Sequence, residues 1–544
     1  MPETDQRARP GSPGGFPLQS SRRRARVGPL PRPIPRGIRT CPSAVILAAL
    51  LCSFGWMGFR VAASPLEIPV GVAQLFVDDF LIESQEGLQR RLNCPVKDHN
   101  GDEPLIPAKP GTTLLAYGSI VRDPRLERYV MFTQGFEERH MYRFTSKDGL
   151  DWETGGGGEF EKITFEPALE PEPGARGSPG LDLFSCFYDP SDAEHPYKGW
   201  LYYANYGPSR EGIYYVRSQD GRQWERLGLV VNAWAGPGDE SARRIEQDGK
   251  TVFGPGDVTL FSPDPATGRF LGLFKFFTTE RVGEAGNNLR SRAYAFLDRL
   301  DQPFDTRRIQ RVALLPPARK EGNDEPGDEY YASTAWRYES LWLGGLKVWH
   351  GTGNYPHSAE GCAFLKLVVS RDGLNWTKVP FTNSCGALEV FLPNGAEGGN
   401  HGRNDGGYIS EFSQGPLRIG PELIYYYSAS SWGKNAPRSK RLLGGGIFRA
   451  RLRPDGFVSI TGGSLTTKPL LAKGTDLYLN AVGPVSVKVL TPEGKVLGES
   501  RVSGDSLEHP VRFRIPYSKL TRGRPAKLVF VVEPGAQLFS FKLR

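Results

Sequence analysis

Two aspartates, Asp182 and Asp257, have the type and spacing that acid–base chemistry needs. They are about 75 residues apart, which is a typical length for one unit of a repeating chain. Each directly precedes an apolar stretch typical of a β-strand, Leu-Phe-Ser-Cys-Phe and Val-Thr-Leu-Phe. Two carboxyl groups in one cavity can act as general acid and general base, because their charges repel and raise one pKa. The alternative, which the sequence leaves open, is that each aspartate caps a turn by accepting backbone N–H bonds.

Two further acids are candidates for a third role in this chemistry. Glu329 lies three residues before Ala332, which is the position equivalent to Asp182, and Asp405 follows His401-Gly-Arg403-Asn404. The resulting prediction is that several carboxylates converge on one cavity and that repulsion raises at least one pKa. The predicted catalytic residues are Asp182, Asp257, Asp405 and Glu329.

Polar and aromatic side chains near these acids are predicted to bind the substrate. Trp349 and His350 begin the stretch Trp-His-Gly-Thr-Gly-Asn-Tyr-Pro-His, and an aromatic face can stack on a sugar ring. Ordinary packing at a strand end is the alternative. A histidine and an arginine can contact substrate hydroxyl or carboxylate groups. The predicted substrate-binding residues are His401, Arg403, Trp349 and His350.

A recurring S-x-D-G-x-x-W pattern indicates the elements that must position these acids. Its copies carry Asp148, Asp220 and Asp372, with a weaker copy at Asp455, and successive copies are one, two and one repeat lengths apart. Asp-Gly is typical of a tight hairpin, after which the tryptophan enters the next strand. Five units of about 75 residues, each a four-stranded sheet, predict an all-β chain that forms a five-bladed β-propeller. A stacked β-sandwich with unrelated hairpins is the alternative.

A second series of markers has the same period. Asp123, Asp189, Asp264 and Glu339 each end a predicted inner strand, and the steps between them are nearly equal and match the repeat length of the hairpins. The predicted second strands follow directly, for example at residues 129–132 and 200–203. Two independent series with one period favour the propeller over the sandwich.

The segment 1–63 explains the positive charge of the 544-residue chain. It holds ten arginines, no lysine and two acids, which accounts for the whole formal charge of +8. The remainder is neutral, so the charge does not indicate a nucleic-acid partner. The apolar run from Ala44 to Phe59 and the small residues of Val61-Ala62-Ala63 predict a signal peptide, cleaved before Ser64. The protein is therefore expected to be secreted or periplasmic, with an uncleaved N-terminal membrane anchor as the alternative.

Cysteine spacing and glycine-rich motifs exclude several kinds of site. Cys94, Cys186, Cys362 and Cys385 lack paired C-x-x-C spacing, so no metal site is predicted. They allow up to two disulfides or buried free thiols. The glycine run at 155–158 lacks a following Gly-Lys-Ser/Thr, which argues against phosphate binding. No cofactor is predicted, and a structural calcium ion is left open.

The chain divides into four predicted segments. Residues 1–63 form the leader and signal peptide, and 64–112 an N-terminal strand, at 74–82, that enters or closes the propeller, followed by an irregular segment. The propeller is expected at 113–462. Alternating strands and a Pro492-Glu-Gly494 hairpin predict a small β-sandwich at 463–544, which either packs on one face of the propeller or binds sugar.

The hairpins and inner-strand markers resemble those of the five-bladed glycosidases of families 32, 43 and 68. Arg122-Asp123-Pro124 resembles the motif that carries one of the three catalytic acids of that superfamily. The runs at 452–460, 477–480 and 538–541 resemble secreted planctomycete-type members, and the resemblance spans about residues 72–544. It implies a glycoside hydrolase with a base or nucleophile, a pKa modulator and a general acid on inner strands.

The sequence leaves two functions open. One is hydrolysis of a poly- or oligosaccharide by the inner-strand carboxylates, and the other is a non-catalytic carbohydrate-binding or scaffold propeller. In both cases the expected partner is a carbohydrate, with no nucleic acid, no membrane span in the mature protein and a monomeric state. Whether the predicted acids share one pocket distinguishes the two functions.

Overall fold

The computed structural model describes residues 64–109, 112–117, 120–136, 138–155, 159–175, 177–233, 242–282, 287–351, 361–396, 404–433 and 445–544. These residues are mostly β-strands joined by turns, which confirms the all-β prediction. Short helical turns occur at Asp98–Gly101, Thr306–Arg308 and Tyr517–Thr521. Abundant glycine and proline favour this arrangement, because both residues interrupt helices and form tight turns.

The described chain begins with short strands that precede the first large sheet. They are β1 (Leu66–Ile68), β2 (Gln74–Leu75), β3 (Ile82–Glu86), β4 (Gln89–Leu92), β5 (Val96–Lys97) and β6 (Ile106–Pro107). The first sheet then contains β7 (Leu114–Leu115), β8 (Ile120–Asp123), β9 (Arg128–Gly135), β10 (His140–Ser146) and β11 (Glu161–Lys162). The second sheet contains β12 (Thr164–Glu166), β13 (Gly180–Tyr188), β14 (Tyr197–Ala204), β15 (Gly212–Ser218) and β16 (Gln223–Asn232).

Three further strand groups follow the same plan. The third contains β17 (Arg243–Gln247), β18 (Lys250–Gly254), β19 (Leu260–Asp264), β20 (Arg269–Val282) and β21 (Asn287–Leu297). The fourth contains β22 (Glu329–Tyr338), β23 (Leu341–Gly351), β24 (Gly361–Ser370), β25 (Thr377–Lys378) and β26 (Val390–Leu392). The fifth contains β27 (Tyr408–Phe412), β28 (Leu417–Ile419), β29 (Glu422–Ser430) and β30 (Gly445–Leu452). A short parallel pairing between β24 and β27 joins the fourth and fifth groups in one sheet.

The remaining strands form two larger sheets around a separate core, except β33, which pairs with β1 in a two-stranded sheet. They are β31 (Val458–Thr461), β32 (Ser464–Thr467), β33 (Leu470–Ala472), β34 (Leu477–Val482), β35 (Val485–Leu490), β36 (Val496–Val502), β37 (Asp505–Val511), β38 (Lys527–Val532) and β39 (Gln537–Leu543). One sheet has the order β37-β34-β39-β31-β4, and the other the order β3-β32-β38-β35-β36. Phe76, Phe530 and Phe541 pack together in the core between them.

One strand of each group, called its inner strand below, contacts the inner strand of the next group. β8 contacts β13, β13 contacts β19, β19 contacts β22, and β22 contacts β27. β7 contacts β29 and β30, so the first group also touches the fifth. The contacts between successive strand groups therefore form a closed ring.

The strand that closes this succession is not the one predicted. β5 and β6 pair with β30 at the outer edge of the fifth group, and the segment 93–107 that contains them is called the closing segment below. The predicted closing strand at 74–82 instead contributes β2, which pairs with β39, and leads into β3, which pairs with β32. That prediction was wrong, because an alternating apolar strand gives no indication of which sheet it joins.

The three Asp-Gly hairpins have the same local structure. Gly149, Gly221 and Gly373 have φ values of 75°, 71° and 78°. Each glycine N–H donates to the serine hydroxyl three residues earlier, at 2.8, 2.9 and 2.8 Å. Each aspartate accepts bonds from the two backbone N–H groups after the glycine. These aspartates are structural, because Oδ1 of each accepts the backbone hydrogen bonds that form the turn.

The tryptophan after each hairpin packs on the preceding sheet. Trp224 of the second sheet contacts Phe132 of the first, with ring centroids 5.6 Å apart, and Trp376 of the fourth group stacks on Tyr294 of the third at 4.8 Å. Trp152 of the first sheet contacts Tyr426 of the fifth group at 5.5 Å. These three tryptophans therefore pack between neighbouring strand groups.

Candidate functional site

Asp182 lies at the start of an inner strand, where the strand is irregular. It belongs to β13, and its pairing with β14 shifts register between Asp182 and Ser185. Leu183, within this bulge, has a φ of 51°, and such bulges redirect side chains near functional sites. The Asp182 side chain is 13% exposed, and its Oδ2 lies 3.6 Å from Nη1 of Arg139. This is a long ion pair with a half-buried arginine.

Asp257 lies just before β19, in the equivalent part of the third group. Its Oδ1 accepts a 3.0 Å bond from the N–H of Val258 and forms an ion pair with Lys275. The Asp257 side chain is 40% exposed, whereas Lys275 on β20 is buried. The lysine Nζ also lies 4.9 Å from the ring centre of Phe277 and 6.0 Å from that of Tyr331. Both turn capping and an ion pair therefore hold Asp257 in place.

Glu329 begins β22 and is fully buried. It forms an ion pair with Arg290 of β21 and accepts a 3.3 Å bond from the Arg290 backbone. Burial alone would lower the pKa of Arg290, but the neighbouring Tyr331 and Glu329 outweigh burial and raise it. Among the described residues, the Oε1 atom of Glu329 has no hydrogen-bond partner.

Tyr331 lies where cations from two neighbouring groups meet. It occupies a bulge between Tyr330 and Ala332 in β22. The Arg290 guanidinium lies 4.4 Å from the centre of the Tyr331 ring. The Nζ of Lys347, a residue of β23, lies 4.4 Å from the same ring centre. A cation over an aromatic face is stabilised by the ring quadrupole. Tyr331 therefore connects Glu329 to the cations of the third and fourth groups.

Glu411 is a member of this cluster that the sequence did not predict. It lies on β27 and accepts a 2.7 Å bond from Nζ of Lys347, and both side chains are 2% exposed. Glu411 directly follows a bulge in β27, and a bulge changes the side of the strand on which the following side chains lie.

Tyr117 connects the two sides of the cluster. Burial raises the pKa of this phenol, and the charges of Glu411 and Asp182 raise it further. Glu411 belongs to the fifth group and Asp182 to the second, so both carboxylates lie close enough to affect one tyrosine of the first. The structure thus brings Asp182, Asp257, Glu329 and Glu411 into one cluster through Tyr117, Tyr331 and Lys347.

The acids of the cluster are paired with cations, which differs from the prediction that the acids repel one another. Each of the four carboxylates has a cationic partner among the residues Arg139, Lys275, Arg290 and Lys347. An adjacent cation favours the ionised carboxylate and opposes repulsion between acids. These contacts therefore do not favour the predicted rise in the pKa of a carboxyl group by repulsion from the other acids.

A buried carboxyl with a raised pKa lies beside the cluster instead. Glu211 forms a hydrogen bond with Tyr202 and accepts a 3.0 Å bond from the N–H of Asn205. Burial raises the pKa of Glu211. Asp182 contributes to the raised pKa of Tyr202, so Tyr202 lies between the two acids. No sequence pattern indicated Glu211, because its neighbours belong to an irregular turn.

The described contacts of Asp405 are outside the cluster around Tyr331. Its Oδ2 lies 2.5 Å from Nζ of Lys97 and accepts a 2.9 Å bond from the Tyr427 hydroxyl. Its Oδ1 accepts a 3.1 Å bond from Gly395, and its N–H donates to Gly101. Lys97 and Gly101 belong to the closing segment, and Tyr427 to the fifth group. The predicted convergence of Asp405 with the other acids is not seen in its described contacts.

The predicted substrate-binding residues differ in their surroundings. Trp349 is 4% exposed and packs in the main core, so its ring face is covered. His350 is half-exposed, and its Nδ1 lies 2.6 Å from Oδ1 of the buried Asp328. His401 and Arg403 lie outside the described residues.

The acid of the Arg122-Asp123-Pro124 motif has a structural role here. Asp123 ends β8, whereas Asp182 lies near the start of β13. The Asp123 carboxylate accepts bonds from the Tyr197 hydroxyl at 2.6 Å and from the N–H of Arg125 at 2.8 Å. Burial alone would raise the pKa of Asp123, but these hydrogen bonds outweigh it and lower the pKa. The side chain ties the end of β8 to the second sheet.

The described residues contain neither a clustered metal site nor a long apolar helix. Within the described ranges, no group of three or more His, Cys, Asp or Glu side chains is placed to hold a metal ion. In the same ranges, none of the helices has the length and apolar character needed to cross a membrane.

Comparison with known proteins finds similarity only among solved structures. No protein-family model and no curated protein matches the chain. A fructofuranosidase variant from Schwanniomyces occidentalis in complex with fructosylnystose is 10% identical, with 83% of this chain and 98% of that chain covered and a TM-score of 0.35. An α-L-arabinanase mutant from Cellvibrio cellulosa is 13% identical, with 64% and 92% covered and a TM-score of 0.34.

A third similar structure is an enzyme of another activity. An N-acetylgalactosamine deacetylase from F. plautii, in complex with blood group B trisaccharide, is 14% identical. The alignment covers 69% of this chain and 95% of that chain, with a TM-score of 0.38. The roles of individual residues in the present chain therefore rest on the contacts described above.

Proposed function

We propose that this protein is a glycoside hydrolase that cleaves a poly- or oligosaccharide at the cluster around Tyr331. The observation that carries the proposal is the convergence of Asp182, Asp257 and Glu411, which lie on or just before inner strands of three strand groups. Carboxylates brought together from separate strands are typical of sites that cleave glycosidic bonds with one acid and one base or nucleophile. The tyrosines between them add hydroxyl groups and ring edges for sugar recognition.

Asp257 is the proposed nucleophile or base. It is the most exposed acid of the cluster, and Lys275 keeps it ionised, as an attacking or proton-accepting carboxylate must be. Asp182 is the proposed proton donor. Its 3.6 Å ion pair with Arg139 is longer than the 2.7 Å pair of Glu411 with Lys347, so Asp182 is the less tightly held of these two acids. Glu329 and Glu411 are proposed to position the cations that surround Tyr331.

The architecture around this site is part of the proposal. The five strand groups are proposed to be the blades of a five-bladed β-propeller spanning 113–462, and the last two sheets a β-sandwich at 463–544. The ring of contacts among the inner strands is the evidence for the blades, and the separate core around Phe530 is the evidence for the sandwich. The leader at 1–63 is proposed to direct export to the periplasm or the medium, where the mature protein acts as a monomer.

Two asparagine variants test the assignment of the acids. A hydrolysis screen with plant and algal polysaccharides first identifies a substrate. Asp182→Asn and Asp257→Asn are then each expected to lower kcat by about 100- to 10,000-fold, the usual contribution of acid–base catalysis, with little change in Tm. Asp298→Asn is the matched control, because that side chain is 66% exposed and pairs with Arg269 on the surface. Full activity of either site variant would show that the acids are wrongly assigned.

A small-anion experiment separates the two roles. In Asp257→Ala, sodium azide can occupy the vacated space and attack the sugar in place of the carboxylate. We expect azide to restore turnover to this variant and to give a glycosyl azide, whose anomeric configuration is read by NMR. Asp182→Ala is expected to gain activity only on substrates whose leaving group needs no proton. Azide rescue of both variants alike would contradict the division of roles.

A carbohydrate-binding module is the second candidate, and one observation favours it. Every acid of the cluster is paired with a cation, which suits hydrogen bonding to sugar hydroxyls as well as catalysis. Calorimetric titration with the oligosaccharides that bind in the screen distinguishes the two. Binding at the cluster without hydrolysis over days would support the binding module and contradict the hydrolase.

A further inference from the structure

We propose that Cys94 and Cys385 form a disulfide that fastens the closing segment of the chain to the fourth strand group. The two residues are far apart in the sequence and lie in different segments, one just before β5 and the other in the loop between β25 and β26. The structure holds both as thiols, side by side.

The backbone places the two cysteines opposite each other. Leu92 forms a parallel bridge with Asn383, with Leu92 N–H donating to Thr382 at 3.1 Å and Ser384 N–H donating to Leu92 at 3.0 Å. Cys94 and Cys385 each lie two residues beyond this bridge, with Cys385 in the turn that follows Asn383. At the bridge the two backbones are about 4.8 Å apart, a separation that lies within the Cα range of disulfides.

Side-chain contacts hold the two segments together beyond the bridge. The N–H of Cys94 donates to the Ser384 hydroxyl at 3.3 Å, and the N–H of Cys385 donates to Oδ1 of Asn383 at 2.9 Å. The Cys94 thiol lies 3.9 Å from the carbonyl of Val390, and Cys385 is close enough to affect the pKa of that thiol. These contacts hold the two cysteines next to each other.

The exposures of the two thiols determine the order of the reaction. Cys385 is exposed, so a small disulfide such as oxidised glutathione can exchange with it, forming a mixed disulfide and releasing one reduced glutathione. The Cys94 thiolate then attacks the Cys385 sulfur and releases a second glutathione. Two protein thiols lose two protons and two electrons, which reduce one molecule of glutathione disulfide to two thiols. Burial raises the pKa of Cys94 to about 11, which slows the second step.

The bond would act on the strand that completes the ring of contacts. Cys94 is two residues from β5, which pairs with β30 of the fifth group. A crosslink from Cys94 to the fourth group would therefore hold β5 in place and enclose the chain between residues 94 and 385. Closing so long a loop limits the unfolded state more strongly than a short crosslink does. The inference is compatible with export, because disulfides persist in oxidising compartments, but it does not depend on hydrolase activity.

Peptide mapping of the purified full chain tests the bond directly. The protein is equilibrated with reduced and oxidised glutathione, free thiols are blocked, and the digest is analysed by mass spectrometry without reduction. We expect one crosslinked peptide pair containing Cys94 and Cys385, with Cys186 and Cys362 blocked as free thiols. Recovery of Cys94 and Cys385 as blocked thiols under oxidising conditions, or a link from either to another cysteine, would overturn the proposal.

Thermal unfolding tests the stabilising effect with matched variants. The oxidised protein is expected to melt about 4 °C above the reduced protein, given the large loop and the size of the chain. Cys94→Ser and Cys385→Ser should abolish this redox-dependent shift, whereas Cys362→Ser should keep it. A crosslink without any shift in Tm would contradict the stabilising role, and a shift that survives in Cys94→Ser would contradict the identity of the bond.

Discussion

Asp405 shows how a buried acid can resemble a catalytic residue and still serve the fold. It lies between the Lys97 ammonium and the Tyr427 hydroxyl, and the backbone of Gly395 completes its contacts. Removing one partner of a buried ion pair leaves the other charge without compensation, which costs about 3–5 kcal/mol. We therefore expect Asp405→Asn to lower the free energy of unfolding by about 3 kcal/mol, measured by urea denaturation at pH 7.

The same variant separates the structural role from a catalytic one. At temperatures where Asp405→Asn remains folded, kcat on the identified substrate should stay within about threefold of the unmodified protein. Asp257→Asn is the comparison, since it is expected to show the opposite pattern. A large loss of kcat in Asp405→Asn without loss of stability would restore Asp405 to the catalytic set.

His350 provides a pH-dependent contact near the cluster. Its bond to Asp328 raises the pKa of the imidazole above its usual value of 6.5, against the opposing effect of burial. A raised folded pKa means that the pair stabilises the protein fully below pH 6.5 and that this stabilisation is lost as pH rises through the folded pKa. We expect the loss of Tm between pH 6 and 9 to be smaller in His350→Gln than in the unmodified protein.

A second histidine serves as the control for this titration. His509 lies in the C-terminal sheets, where it contacts the backbone of Gly504. His509→Gln measures how far a histidine-to-glutamine change in itself alters the pH dependence of Tm. Identical pH profiles for His350→Gln and the unmodified protein would show that the His350–Asp328 contact adds no stability.

At the scale of elements, the hairpin tryptophans couple each sheet to the one before it. Trp224 is buried among Phe132, Phe165 and Phe184, whereas Trp152 is only half-buried and meets the edge of Tyr426. Large-to-small truncation of a buried tryptophan costs about 3–5 kcal/mol, because a cavity remains. We expect Trp224→Ala to lose about 4 kcal/mol and Trp152→Ala clearly less, as measured by urea denaturation.

The difference between the losses of stability in Trp224→Ala and Trp152→Ala tests how each side chain packs. Equal losses in both variants would mean that Trp152 packs as tightly as Trp224, contrary to their exposures. Losses below about 1 kcal/mol in Trp224→Ala would place this side chain on the surface and contradict the packing between sheets.

The hairpins could be predicted because their chemistry is local. A serine, an aspartate and a glycine at fixed spacing bond to one another within a single turn, so the pattern alone specifies the turn. The position of Glu411 could not be predicted in this way. A single bulged residue in β27 changes which side chains face the cluster, and bulges leave no clear trace in apolar spacing.

At the scale of the molecule, the first described segment belongs to two distant parts of the fold. β2, β3 and β4 join the C-terminal sheets, and β5 and β6 join the fifth strand group. The sequence predicted five repeats and a terminal β-module, both of which depend on local periodicity. It could not predict where short, non-repeating strands pair, because their partners lie near the opposite end of the chain.

Asp98 holds the closing segment to the fifth group and makes the closure sensitive to acid. Its carboxylate accepts bonds from Nε of Arg449 at 2.6 Å and from Nε of Arg451 at 3.0 Å. Burial alone would raise the pKa of Asp98, but the two arginines outweigh burial and lower it below 3.8. A lowered folded pKa means that the contact stabilises the protein above the unfolded pKa and that this stabilisation is lost as pH falls through the folded value.

Asp98→Asn should therefore destabilise the protein in a pH-dependent way. At pH 7 we expect a loss of about 2 kcal/mol in the free energy of unfolding, the scale of hydrogen bonds to a charged group. As pH falls through the folded pKa of Asp98, the difference from the unmodified protein should shrink, because the native carboxyl then also becomes neutral. Asp505→Asn is the control, since that side chain is 64% exposed and pairs with Arg453 outside the closing segment. If Asp98→Asn has no effect at pH 7, or an effect that does not shrink at any acidic pH, the two arginines do not hold the ring closed through Asp98, and closure depends on the β5–β30 and β6–β30 backbone pairings alone.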